Sequence, residues 1–373
     1  MIIQNARIVL RERILPNGAI RIEDGNIADI YETSPPKTED IEKIDAGGAL
    51  VAPGFVDIHA HAGGRFWAYE NPVEAARYHL NSGTTSMVLT LYHDIGHEGI
   101  LEGARRIRRA MENGTPGNIA GIHMEGPYLS KKYGASAKTA RIPDAKEYSQ
   151  YISEFGDLIK QWTFSPEVEG TDAFIEAARA AGIRLAIGHS AAAPERVFEV
   201  AEKGVCICTH LANATASSIM PPRYPGTQEV SFDQAVMMCD DIMCEVINDR
   251  LGVHVRPLMT KYIVKTIGID RVMAISDACA ADDDDENDIN IVNGEIYGSK
   301  LTMQGAARNF MKNTGLSLAE TFRVCAANPA KAVGLADRGE IDLGKRADIL
   351  ILDDDLSIKA VFLGGVRQST ELI

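Results

Sequence analysis

Gly54-Phe55-Val56-Asp57-Ile58-His59-Ala60-His61 is a short, mostly apolar run of strand length that ends in two imidazoles. Residues two apart on a strand share a face, so His59 and His61 reach toward one point. Seven more runs of this kind follow C-terminally, and the spacing predicts strands at 84–92, 118–125, 159–165, 184–189, 205–210, 242–248 and 271–277. Amphipathic stretches at 72–80, 99–111, 172–181, 194–202 and 256–266 separate them and carry helix formers at helical period. Eight alternating units of this type predict a closed (β/α)8 TIM-like barrel. Further helical segments, 306–312 and 318–333, follow the last strand.

Upstream of Val51 the pattern is different. Ile2-Ile3-Gln4-Asn5-Ala6-Arg7-Ile8-Val9 and Ala19-Ile20-Arg21-Ile22 alternate apolar with polar, and Asp24-Gly25-Asn26 supplies a turn. The tail returns to the same character at 347–352 and 360–366, around a turn at Gly364-Gly365. The expectation is a small β-sandwich domain built from both ends of the chain, residues 1–50 with 340–373, and a barrel domain at 51–339.

The polar residues that end the barrel runs are chiefly imidazoles and carboxylates. They are His123-Met124-Glu125-Gly126-Pro127, Gly188-His189-Ser190, Thr209-His210-Leu211 and Ser276-Asp277-Ala278. Active sites of βα barrels assemble at these C-terminal strand ends. Imidazole nitrogen and carboxylate oxygen suit zinc or iron, and one carboxylate spans two ions. His59, His61, Glu125, His189 and His210 therefore read as ligands of one or two divalent metal ions, and Asp277 as an acid/base group. His79 falls in a helix and His93 and His97 in the loop after the second strand, which assigns them structural or solvent-exposed positions. His123 alternates onto the face of Glu125, where packing and backbone hydrogen bonding account for it. Cys206 and Cys208 read as packing residues.

With 373 residues, 45% of them hydrophobic, the chain buries a sizeable core. No apolar run approaches the ~20 residues of a membrane span, and the first fifteen residues carry Arg7, Arg11, Glu12 and Arg13. The expected location is the cytoplasm, with six reduced cysteines. A net charge of −14 repels nucleic acid and anionic membrane, which leaves a small molecule as the partner.

Taken together, Ala52-Pro53-Gly54-Phe55-Val56-Asp57-Ile58-His59-Ala60-His61, the His123–Pro127 segment, Gly188-His189-Ser190, Thr209-His210-Leu211-Ala212-Asn213-Ala214, Ser299-Lys300-Leu301-Thr302-Met303 and Gly344-Lys345-Arg346-Ala347-Asp348-Ile349 resemble the amidohydrolase superfamily. Within it they resemble the N-acetylglucosamine-6-phosphate deacetylase family. The resemblance runs nearly the whole chain. It implies hydrolysis of the acetamide of an amino sugar phosphate, with a metal held by Glu125, His189 and His210 and room for a second ion at His59 and His61. It implies substrate contacts from Ala135, Asn213, Ala214, Arg223 and His254, with Arg223 reaching a neighbouring subunit's site in a homodimer.

Three segments depart from that family. Tyr133-Gly134-Ala135-Ser136 stands where the family has Lys-Gly-Ala-His, so an imidazole that polarises the substrate carbonyl is missing. Asn248-Asp249-Arg250-Leu251-Gly252-Val253 replaces the family's run before His254. Asp282-Asp283-Asp284-Asp285-Glu286 places five carboxylates after Asp277, a solvated loop or an acidic rim that repels phosphate. A second reading keeps the scaffold and changes the substrate, to an N-acyl amino acid or an unphosphorylated or different N-acetyl sugar. No strand-end lysine is present for a carboxylated metal bridge, which disfavours cyclic-amide hydrolysis. A metal-stabilised binding protein needs no base beside its metal, and Asp277 argues against one.

Overall fold

The computed structural model of the protein describes residues 1–33, 35, 41–134, 139–215, 224–281, 287–292 and 294–369. Eight parallel strands form one sheet in chain order: Phe55–Ala60, Thr84–Tyr92, Ile119–Glu125, Ile159–Phe164, Arg184–Ile187, Val205–Cys208, Met243–Ile247 and Val272–Ile275. The two edge strands meet through Asp277 N–H, which donates to the His59 carbonyl at 2.8 Å, and Ser276 N–H, which donates to Asp57 Oδ1 at 3.3 Å. The sheet thus comes round on itself as a barrel, as its apolar runs and intervening helices predict.

The helices Pro72–Asn81, Gly96–Glu112, Thr171–Ala180, Pro194–Glu202 and Pro257–Ile267 cover the outside. Two more, Ala145–Phe155 and Phe232–Met238, start on local signals: Asp144 accepts from the backbone of Lys146 and Glu147, and Ser231 with Gln234 forms a capping box. After the last barrel strand come Met303–Thr314 and a run from Leu318 to Ala332 that is widened by a π turn at Arg323–Ala327. Among the described residues no helix is long and apolar enough to cross a membrane.

Both chain ends contribute to a second sheet. Leu50–Pro53 pairs antiparallel with Ile349–Leu352 and parallel with Ile2–Val9, which in turn pairs antiparallel with Ile14–Glu23. Alternation along these strands divides their side chains between two cores. Val51, Ile349 and Phe362 join Ile3, Ile8 and Ile20 in a cluster separate from the barrel, while Leu50, Ala52, Leu350 and Leu352 join the core around the barrel. This explains the continuous apolar character of Leu50–Pro53 and Ile349–Leu352, which are buried on both faces.

Candidate active site

The interior of the barrel carries a layer of polar groups. His123 contacts the hydroxyls of Thr90 at 3.2 Å and Thr163 at 2.8 Å, and Thr163 bonds Thr209 at 2.7 Å. Two residues back on the same faces, Val88 and Ile207 belong to an apolar cluster with Met273. His123 is therefore bonded to side chains and not to backbone. Burial, and then the imidazole of His59, pushes its pKa well below the ordinary value.

Above this layer the strand-end residues converge. His189 Nε2 lies 2.8 Å and His210 Nε2 3.2 Å from Glu125 Oε1, and the two nitrogens are 3.0 Å apart. On the other side, His61 Nε2 lies 3.2 Å from Glu125 Oε2 and 3.2 Å from Asp277 Oδ1. His59 Nε2 lies 3.6 Å from Glu125 Oε1 and 3.3 Å from Asp277 Oδ1. All six residues are buried, each a tenth exposed or less. Glu125 stands between two groups that are each able to hold a metal ion, His59 with His61 and His189 with His210.

The backbone at three of these residues departs from the expected strands. The ladders end at Ile187, Cys208 and Ile275, and His189, His210 and Asp277 follow with φ of 48, 28 and 48°. A left-handed residue cannot continue a ladder, so the side chain is aimed by a turn and not by the strand itself. Local bonds hold these turns: Ser165 Oγ donates to the His189 carbonyl at 2.9 Å, and Ser299 N–H donates to the Asp277 carbonyl at 2.8 Å.

The electrostatics fit a cation. Burial alone would lower His59, but Glu125, Asp277 and Glu245 around it hold its pKa well above the usual imidazole range. Against the same burial, Asp277 and Glu125 raise His61 to about 9. Burial would raise Glu125, and the imidazoles, His59 foremost, hold it well below its usual value. His59 Nε2 is buried without a hydrogen-bond partner although it faces two carboxylates. A buried set of nitrogen and oxygen donors gathered around a carboxylate suits a divalent ion such as zinc or iron.

A cavity of about 340 Å³ opens onto these groups. Asn213, Ala214 and His254 line it, as do Trp67, Tyr69, Tyr92, Asp94 and Tyr297. His254 Nδ1 lies 3.1 Å from Asp249 Oδ2 and its Nε2 3.1 Å from the Gly298 carbonyl, while Asn213 Nδ2 donates to the His254 carbonyl at 3.4 Å. Ala135, Arg223 and the acidic run 282–286 lie outside the described residues. Of the other histidines, His79 and His93 are buried and His97 is partly exposed, and each is bonded within the structure. His79 is buried on Pro72–Asn81 against the Ala62 carbonyl at 2.8 Å, His93 opens a short 3-10 turn, and His97 lies on Gly96–Glu112 with Tyr151 OH 2.8 Å away.

One functional position was not anticipated. Glu245, alone among the apolar side chains of Met243–Ile247, is fully buried and touches His59 Nδ1 at 3.0 Å. Its signal was available, since a lone carboxylate inside an apolar barrel strand requires a buried partner. The aromatic wall of Trp67, Tyr69 and Tyr297 had no comparable signal, because it joins the segment at Phe66–Trp67 to the strand Glu295–Ser299, far away in sequence.

A parallel barrel that gathers four imidazoles and two carboxylates at the C-terminal ends of its strands, beneath an open cavity, has the construction of a hydrolytic enzyme of the metal-dependent barrel class. More particularly, the chain belongs to the amidohydrolase family, whose profile matches residues 50–367, and it is a hydrolase acting on carbon–nitrogen bonds. It is 26% identical to the N-acetylglucosamine-6-phosphate deacetylase of Lysinibacillus sphaericus, over 99% of this chain and 98% of that one. It is 27% identical to the N-acetylgalactosamine-6-phosphate deacetylase of Shewanella sp. (strain ANA-3), over 98% and 95%. Among solved structures it is similar to a variant of the Mycobacterium smegmatis N-acetyl-D-glucosamine-6-phosphate deacetylase in complex with N-acetyl-D-glucosamine-6-phosphate, with a TM-score of 0.86, 28% identity and 98% of each chain covered.

Proposed function

We propose that the protein removes the acetyl group from an N-acetyl amino sugar 6-phosphate, N-acetylglucosamine-6-phosphate first, giving glucosamine-6-phosphate and acetate. The observation that carries this reading is the position of Glu125 between His59/His61 and His189/His210, with Asp277 facing it, in a chain that matches such deacetylases end to end. In this reading Glu125, His189 and His210 hold one ion and His59, His61 and Glu125 a second, the metal being zinc or iron. A divalent ion held there supplies a Lewis acid that acidifies water and polarises an amide carbonyl. Asp277 takes the proton of the attacking water and passes it to the sugar nitrogen as the C–N bond breaks, a role typically worth ~10²–10⁴-fold in rate. Asn213, Ala214 and His254 contact the sugar phosphate from the cavity wall, and substrate contact falls also to Ala135 and Arg223, which lie outside the described residues.

Residues 1–50 with 340–373 serve in this account as a small supporting domain beside the 51–339 barrel, a division supported by the sheet's separate apolar cluster. A homodimer is supported by a groove lined by Val230, Met237, Met238 and Tyr262, of which Met238 is 64% exposed. A cytoplasmic site of action is supported by six free thiols.

A second reading has its own observation. Among the described residues that line the cavity there is no lysine or arginine, and Asp94 is present. That lining favours an unphosphorylated N-acyl substrate. Acetate release from N-acetylglucosamine-6-phosphate and from its unphosphorylated parent separates the two. Preference for the phosphorylated sugar supports the first reading; turnover of the parent alone overturns it in favour of the second.

A further inference from the structure

Glu245 is the one charged side chain of its strand and is wholly enclosed, so its carboxylate is held by what it touches. Oε1 accepts from Gln161 Nε2 at 2.6 Å. Oε2 accepts from His59 Nδ1 at 3.0 Å and from the backbone N–H of His210 at 3.3 Å. Strand seven thereby reaches strands four and one through the barrel interior, and it meets both halves of the site.

The halves are supported differently. The rear nitrogen of His210 faces the Asn213 carbonyl at 3.1 Å, and that of His189 is buried without a partner. His59 has a carboxylate behind it. A carboxylate that accepts from Nδ1–H fixes the proton there, leaves the Nε2 lone pair facing Glu125, and makes that nitrogen a better donor. We propose that Glu245 is the positioning residue that makes the His59–His61–Glu125 half of the site a metal site, and that Gln161 orients it. The proposal rests on the ligand assignment under Proposed function.

Glu245→Gln keeps shape and removes charge. Gln161 Oε1 has no hydrogen-bond partner, so turning the Gln161 amide over would let it accept from the new amide and leave the packing intact. Zinc affinity and stoichiometry are measured on the metal-free full-length protein by competition with a chelator, alongside its thermal unfolding. The wild type is expected to bind two ions per chain. Glu245→Gln should keep one unchanged and hold the other about 10–100-fold more weakly, with the metal-free melting temperature unmoved and activity recovered by excess zinc. Gln161→Met should weaken the same ion by a smaller factor. Equal affinity for both ions in the wild type and Glu245→Gln overturns the proposal, as does a loss of activity that excess zinc does not restore. A wild type that takes up no zinc overturns the ligand assignment itself, and is recognised before any variant is made.

Discussion

At His189, His210 and Asp277 three side chains of the site leave a backbone that L residues enter reluctantly, at an ordinary cost of about 1–3 kcal/mol each. The neighbours are arranged around these turns. Gly134, at φ 97°, passes so close to His189 that a Cβ on it would stand 2.5 Å from Nδ1. Gly134→Ala is therefore expected to displace the imidazole as well as strain its own loop, and to lower metal affinity at least tenfold in a chelator competition. Unchanged affinity would show that His189 is not held where the structure has it. The His59-x-His61 pair, Glu125 and Asp277 were legible because strand alternation and strand ends announce them. The left-handed turns were not, since none of the three is a glycine and no residue type marks them. Glu245 was less legible because it sits mid-strand, away from the strand ends that mark the other groups of the site.

Elements set the depth at which the site lies. The chain Thr90, His123, Thr163 and Thr209 joins four strands beneath the ligands, and the His123 and His59 rings stand nearly perpendicular with centroids 4.5 Å apart. His123→Phe keeps the ring and takes from the buried Thr90 and Thr163 hydroxyls the imidazole that each bonds. It should cost about 1–3 kcal/mol in chemical denaturation while metal is retained. Loss of metal with unchanged stability would instead place His123 among the ligands. The positions of the barrel strands were readable from their apolar runs, and the helices from their period. Their boundaries near the site were not, because ladders stop where the ligand turns begin. The short helix Phe232–Met238 carries too few turns to show a period, although its capping box marks its start.

On the scale of the whole molecule, the terminal sheet and the barrel are tied by Arg323. Its guanidinium donates to Glu12 at 2.6 Å, to Asp270 at 3.1 Å and to the Arg11 carbonyl at 3.1 Å. Both carboxylates are largely exposed, so the expected loss for Arg323→Ala is about 1–2 kcal/mol, read as an earlier thermal transition. No change would mean that the sheet docks by its apolar face alone. If the proposed homodimer forms through the exposed groove, Tyr262→Glu is expected to sediment as a monomer without loss of fold, where the wild type sediments as a dimer. The pairing of the chain ends was legible from their alternation, whereas the groove, gathered from separate segments, was not. The central claim concerns the whole assembly, a Glu125-centred metal site with Asp277 as its acid/base group. Its most direct test is acetate release from N-acetylglucosamine-6-phosphate by the wild type and Asp277→Asn, with metal content measured on the same preparations. The account predicts full metal in both and a rate lower by ~10²–10⁴-fold in the variant. Equal rates, or no acetate from a fully loaded wild type, would contradict it.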